Sequence, residues 1–121
     1  MYPVIATEGP NAHAVSATQL LGQNADSARR QRYSPERNVD ADTPPVWLVH
    51  AADDPSVPMQ NSLDFNAALR AHRVATEMHV FEIGGHGFGL RYTVGKPVAQ
   101  WPQLLRTWAT YHGFMKTGST V

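Results

Sequence analysis

The stretch Val46-Trp-Leu-Val-His-Ala-Ala-Asp-Asp-Pro-Ser-Val-Pro58 decides the fold of this chain. A rigid lead-in, Asp42-Thr-Pro-Pro45, precedes it, and its first part is a continuous apolar run that ends at His50. A continuous run, unlike an alternating one, is typical of a parallel strand that is covered on both faces. Asp53 and Asp54 follow directly. We therefore expect a buried strand that places two carboxylates at its carboxyl end.

A helix, a second strand and a last helix are predicted downstream. The first helix begins at Asn61 or Ser62 and ends near Ala71, the strand covers Glu77–Ile83, and the last helix covers about 98–112. The side chains expected to face inward are Leu63, Ala67 and Leu69 or Ala68 on the first helix, and Trp101, Leu104, Leu105 and Trp108 on the last. This order of elements predicts right-handed parallel crossovers and an α/β layered sheet.

Upstream of the lead-in we expect a strand at residues 2–6 and two short helices. Ser16 is the expected cap of the first helix and Gly22 its end, and the second helix covers about 26–33. Three strands with an edge near the start make a thin sheet, which indicates a portion of a larger domain. An exposed edge at residues 2–6 also predicts self-association or aggregation.

The composition indicates a folded domain without a charge-driven partner. The chain has 121 residues, 42% of them hydrophobic and 17% charged, which fits one domain. Its 10 basic and 10 acidic residues balance, so no global field favours nucleic acid or an anionic membrane. The single basic cluster, Arg29, Arg30 and Arg32, is interpreted as a solvated helix face rather than a phosphate site.

The sequence contains no cysteine, which excludes disulfides and a thiolate nucleophile. That is compatible with the cytosol and does not exclude export. The first residues lack the charged region and long apolar core of a signal peptide, so the chain as given is expected to be cytoplasmic. The compartment of a longer protein stays open.

Two polar segments, one after each downstream strand, carry the candidate chemistry. Asp54 follows the first strand, and His86 lies in Gly84-Gly-His-Gly-Phe-Gly89 after the second. Since ligands bind at the carboxyl ends of strands in open α/β sheets, the two side chains are expected to converge. A histidine is a base near neutral pH, and a carboxylate can orient it. Taken singly, such residues are more often a turn, a helix cap or a surface loop.

These segments resemble the C-terminal part of α/β-hydrolase esterases, most of all bacterial acetyl-xylan-esterase-like and lipase-like members. The family motif His-Gly-x-x-Asp-x-x-Val-Pro is matched by His50, Ala51, Asp54, Val57 and Pro58. Alanine at the second position is a mild departure from the usual glycine. The stretch Glu77–Leu90 resembles the final strand and catalytic-histidine loop, and Tyr2–Ile5 resembles the sixth strand. The likeness covers nearly all of residues 1–121, as the C-terminal portion of the hydrolase domain.

The resemblance implies a layered parallel sheet with flanking helices and a set of site residues. Asp54 is implied as the triad acid, with Asp53 as its rival, and His86 as the general base. Phe88 and Leu90 are implied either as walls of an acyl or leaving-group pocket or as packing residues. The implied substrate is a small ester, acetyl or short-chain, or an acetylated saccharide such as xylan. No cofactor or metal is implied.

The sequence contains no Gly-x-Ser-x-Gly nucleophile turn, so the family's serine and oxyanion amides are expected upstream of Met1. The serines present, none of them expected in a strand-to-helix elbow, are Ser16, Ser27, Ser34, Ser56, Ser62 and Ser119. The chain is therefore expected to supply the Asp and His of a triad and to have negligible esterase activity alone. The alternative is a truncated remnant that acts only by association.

Two further interpretations remain weaker. In a receiver-like regulatory domain the acidic pair would bind magnesium and accept phosphate, but this requires a lysine at a strand end. Lys96 and Lys116, the only lysines, follow no predicted strand. A metal site of His79, His86 and His112 lacks support, because the first lies within a predicted strand and the last ends a predicted helix.

Overall fold

A computed structural model describes residues 3–116 of the chain. The elements in chain order are α1 (Ala14–Leu21), α2 (Ser27–Arg32), β1 (Val46–Ala51), α3 (Gln60–Ala71), β2 (Thr76–Phe81) and α4 (Trp101–Tyr111). Short 3-10 turns cover Pro35–Arg37 and Pro97–Gln100. The predicted order of strand, helix, strand and helix in the second half is confirmed.

Strand β1 is covered on both faces, as its continuous apolar run predicts. It pairs in parallel with β2, from Val46 opposite Thr76 to Ala51 opposite Phe81. Alternate residues of a strand point to opposite faces, and the buried residues of β1 divide in this way between two core clusters. One cluster contains Trp47, Val49, Ala51, Phe88 and Val98, and the other contains Val39, Leu48, Leu69 and Val74. Helix α3 contributes to the second cluster, and α4 packs against the first.

The apolar stripe of α4 is the prediction that the structure reproduces most fully. Trp101, Leu104, Leu105 and Trp108 all pack against the cluster around Val49. The indole N–H of Trp101 also donates to the Gly89 carbonyl at 2.8 Å. Helix α4 therefore covers one face of β1 and is anchored to the loop that follows β2.

The prediction for the inward face of α3 is wrong in part. Leu63 is 36% exposed and Ala67 is also exposed, whereas Asn61 and Ser62 are buried. Leu69 is buried, as expected. The first turn of α3 faces polar partners rather than the apolar core, so its inward positions are taken by side chains that form hydrogen bonds.

The expected strand at residues 2–6 is not formed over residues 3–6, and Tyr2 lies outside the described residues. The backbone N–H groups of Ile5 and Ala6 donate instead to Oδ1 of Asn61, at 3.0 and 2.9 Å. The amide N–H₂ of Asn61 donates to the carbonyls of Asn11 and Pro58, at 2.8 and 3.1 Å. A side chain thus takes the place of a neighbouring strand, and the described residues provide no strand edge here for self-association.

Two local details also differ from expectation. Helix α1 is capped by His13, whose Nδ1 accepts from the Ser16 N–H, so Ser16 lies inside the helix; Gly22 ends it as predicted. In the basic cluster, Arg29 and Arg32 are exposed, but Arg30 donates to the carbonyls of Ala25 and Thr7. Among residues 3–116, no helix is long and apolar enough to cross a bilayer.

Candidate active site

The loops that follow β1 and β2 meet at the carboxyl end of the sheet. Asp54, from the first loop, accepts a hydrogen bond from Nδ1 of His86, in the second, at 2.9 Å. The Asp54 side chain is 0% exposed and that of His86 is 40% exposed. The structure therefore brings together the two residues that the sequence singles out, one enclosed and the other open to solvent.

The turn after β1 holds the Asp54 carboxylate through the oxygen that His86 does not contact. Its Oδ1 atom accepts from the backbone N–H groups of Ser56 and Val57, at 2.8 and 2.9 Å. Burial raises the pKa of Asp54, but the Val57 N–H, the His86 ring and the Ser56 N–H together outweigh it and leave the pKa below its usual value. The carboxylate is thus ionised at neutral pH and oriented toward the ring.

Asp53 has a different task from Asp54. Its Oδ1 atom accepts from the backbone N–H groups of Gly85 and Gly84, at 2.7 and 2.8 Å. These two hydrogen bonds lower the pKa of Asp53. One carboxylate therefore fixes the backbone of the histidine loop while its neighbour orients the histidine ring, which supports Asp54 over Asp53 as the candidate acid.

The histidine loop depends on glycine at two kinds of position. Gly85 and Gly87, which flank His86, have φ of 69° and 67°, a region that costs other residues energy. Gly84 is needed for space instead: an added Cβ would lie 2.8 Å from Cβ of Ala51 and 3.2 Å from Cδ1 of Phe88. The loop therefore sits directly against the end of β1.

We expect Gly84→Ala to lower the free energy of unfolding by about 1–3 kcal/mol, the usual effect of overpacking a core. Urea unfolding of the chain followed by circular dichroism measures it. Ala51→Gly should cost less stability in the Gly84→Ala chain than in wild type, because it removes the closest contact of the added Cβ while Phe88 still crowds the site. A Gly84→Ala chain as stable as wild type contradicts this packing.

Stability should also depend on pH through Asp54. Its folded-state pKa is lowered, so the stabilisation is complete above the unfolded value of about 3.9 and is lost as pH falls through the folded-state pKa. The stability difference between wild type and Asp54→Asn in urea should hold steady above about pH 5 and shrink below about pH 4. Asp42→Asn, which removes an exposed carboxylate, controls for net charge. A difference that is independent of pH contradicts the assignment.

Phe88 lies in the core. Its side chain is 0% exposed and belongs to the cluster of Val49 and Val98, whereas Leu90 is 68% exposed. Of the two roles that the sequence leaves open for Phe88, this placement supports packing beneath the histidine loop. Leu90 is the apolar side chain of this loop that solvent reaches.

His50 and Ser62 belong to the site, although the sequence predicts no catalytic role for either. His50 lies in β1, its side chain is 0% exposed, and its Nδ1 lies 2.7 Å from Oγ of Ser62. Its Nε2 lies 3.0 Å from the Val57 carbonyl and 3.4 Å from Oδ2 of Asp54. A histidine that closes an otherwise apolar strand is the sequence signal for such a residue.

The three histidines of the possible metal site, His79, His86 and His112, have other neighbours. His79 pairs with Glu77 at 2.8 Å, and the ring of His112 packs against Trp108. Within residues 3–116, no group of three or more His, Asp or Glu side chains is placed to hold a metal ion.

The parallel strands, the helices on both faces and the Asp–His pair at the carboxyl ends define the C-terminal portion of an α/β-hydrolase fold. Residues 12–110 match the prolyl oligopeptidase family, and the chain belongs to that family. Because the chain belongs to this family, the interpretation as a receiver-like regulatory domain is wrong.

Individual relatives are hydrolases. An acetyl ester-xyloside bifunctional hydrolase from Caldicellulosiruptor lactoaceticus is 40% identical, with a TM-score of 0.88 over 94% of this chain and 41% of its own. A carboxylesterase from Lactobacillus plantarum is 29% identical, with a TM-score of 0.68 over 97% of this chain and 44% of its own. Endo-1,4-beta-xylanase B of Butyrivibrio fibrisolvens is 38% identical over 86 residues, which are 71% of this chain and 13% of that protein. The chain is thus related to hydrolases and esterases. It spans less than half of the length of each of these relatives.

Proposed function

We propose that this chain supplies the acid and the base of a serine carboxylic-ester hydrolase. The observation that carries the proposal is the hydrogen bond of 2.9 Å between Nδ1 of His86 and the enclosed Asp54 carboxylate. A carboxylate in this position holds the imidazole in one tautomer and stabilises the imidazolium that forms when the ring takes a proton. His86 is the general base and Asp54 its orienting partner.

The proposed reaction is acyl transfer through a serine that lies outside this sequence. With Nδ1 donating to Asp54, Nε2 of His86 takes the serine proton as the hydroxyl attacks the ester carbonyl. The same atom returns the proton to the leaving alkoxide, and a water then repeats the cycle to release the acid. Asp54 stays ionised throughout.

The proposed substrates are acetyl or short-chain esters, including acetylated saccharides such as xylan. The similarity to the acetyl ester-xyloside hydrolase of Caldicellulosiruptor supports the acetyl ester, and that to the Butyrivibrio xylanase supports the link to xylan. The exposed Leu90 beside His86 is the proposed apolar wall for the acyl or leaving group.

The chain alone is proposed to be inactive, because the sequence has no nucleophile turn. Three of its serine side chains are hydrogen-bonded to other side chains: Ser62 to His50, Ser34 to Thr7, and Ser27 to Glu8. Ser119 lies outside the described residues. Loss of the nucleophile typically lowers turnover in a serine hydrolase by about a millionfold.

A chimera tests the proposal. This chain replaces the matching segment of the Caldicellulosiruptor hydrolase, whose structure is similar to it over 94% of this chain. We expect the chimera to hydrolyse p-nitrophenyl acetate and acetylated xylo-oligosaccharides, and the separate chain to remain at background. A folded chimera without activity, beside an active parent, overturns the acid–base role. Turnover by the separate chain that disappears in His86→Ala overturns the proposed inactivity.

A further inference from the structure

His50 contacts the candidate acid from a second direction. It lies on β1, four residues before Asp54, and its ring is enclosed between the turn after β1 and the first turn of α3. Both ring nitrogens have partners: Oγ of Ser62 lies 2.7 Å from Nδ1, and the Val57 carbonyl lies 3.0 Å from Nε2. A buried ring with partners on both nitrogens has one orientation.

The partners also determine where the ring proton lies. The Val57 carbonyl and the ionised Asp54 carboxylate can only accept hydrogen bonds. Nε2 of His50 lies 3.0 Å from the carbonyl oxygen and 3.4 Å from Oδ2 of Asp54. Nε2 must therefore carry the hydrogen, and in the neutral ring Nδ1 accepts from the Ser62 hydroxyl. The hydrogen on Nε2 is donated to the Val57 carbonyl, and Oδ2 of Asp54 lies beside the same nitrogen at 3.4 Å.

The turn is consequently held twice at Val57. Its N–H donates to Oδ1 of Asp54, and its carbonyl accepts from His50. Oδ2 of the same carboxylate accepts from His86 at 2.9 Å and has His50 at 3.4 Å. Removing the His50 ring would leave the Val57 carbonyl without this donor and would open an enclosed space beside Oδ2 of Asp54.

We propose that His50, locked by Ser62, is a positioning residue that holds the Asp54 carboxylate in line with Nδ1 of His86. The inference rests on the proposed acid–base role of Asp54 and His86. His50 acts through Asp54 and contacts no reacting atom. The link from Ser62 through His50 and Asp54 to His86 connects the start of α3 to the proposed base.

The test measures the tautomer of His86 in the chain itself, by long-range proton–nitrogen correlation NMR at a pH where the ring is neutral. A well-placed Asp54 carboxylate selects the Nδ1–H form, whereas free histidine prefers Nε2–H. We expect wild type to be mainly Nδ1–H and His50→Leu to shift mainly to Nε2–H. His50→Gln, whose amide N–H₂ can reach the position of Nε2, should retain Nδ1–H.

Two other variants complete the test. Ser62→Ala removes the lock but keeps the ring, so it should give an intermediate mixture, and it decides the outcome if His50→Leu does not fold. His72→Leu, at an exposed histidine on the far end of α3, is the matched control and should leave His86 unchanged.

The outcomes separate the two proposals. If wild type itself shows the Nε2–H form, the Asp54–His86 pair fails, and with it the proposed function. If wild type shows Nδ1–H and both folded His50→Leu and Ser62→Ala keep it, the role of His50 alone is overturned. If His50 were only a structural residue, its substitution would lower stability without changing the tautomer of His86.

Discussion

In the chimera, replacing His86 by alanine should lower kcat by about a millionfold. The ring is the only proposed group that takes the serine proton and returns it to the leaving group. The Asp54 carboxylate cannot substitute, because it is enclosed while the ring is 40% exposed. Turnover of p-nitrophenyl acetate under saturating conditions, per mole of folded chimera, measures the loss.

His79→Ala is the matched control for this substitution. His79 is also a histidine paired to a carboxylate, Glu77 at 2.8 Å, but it lies within β2 rather than beyond its carboxyl end. The control should change kcat by less than about threefold. If His86→Ala lost no more activity than His79→Ala, the assignment of the base would be wrong.

Asp54→Asn should lower kcat in the chimera by about 10⁴-fold. The amide can donate as well as accept, so the His86 ring is no longer held in the tautomer that leaves Nε2 able to take a proton. KM should change little, because no substrate contact is removed. Initial rates over a range of substrate concentrations separate the two constants.

Asp53→Asn, at the neighbouring position, provides the comparison. It weakens the hydrogen bonds to the backbone of Gly84 and Gly85 but leaves the Asp54–His86 contact in place. We expect a loss at least about 100-fold smaller than that of Asp54→Asn. Equal losses, or a larger one at Asp53, would exchange the roles of the two aspartates.

Much of the sheet could be predicted because its signal is local. The residues from Val46 to Val49 are all apolar because helices cover both faces of β1. The burial of this strand can therefore be predicted from its residue types. The stripe from Trp101 to Trp108 repeats at helical spacing for the same reason. The convergence of Asp54 and His86 followed from parallel strands, whose carboxyl ends lie at one edge of the sheet.

The parts that could not be predicted depend on polar partners from distant positions. The burial of Asn61 and Ser62 opposes the apolar rule, and hydrogen bonds such as those to the Ile5 backbone and to the His50 ring explain it. The residues around Ile5 have β-favouring side chains, yet their N–H groups find an amide rather than a strand. Hydrophobic periodicity carries no information about such pairings.

The amide of Asn61 links two distant parts of the molecule, the N-terminal segment and the loop after β1. It accepts from two N–H groups and donates to two carbonyls, and its neighbour Ser62 locks His50. Aspartate has the same shape but cannot donate, and leucine has a similar volume but can do neither. Neither residue therefore replaces both halves of the Asn61 amide. A change there would loosen the N-terminal segment and the loop of the proposed acid in a single step.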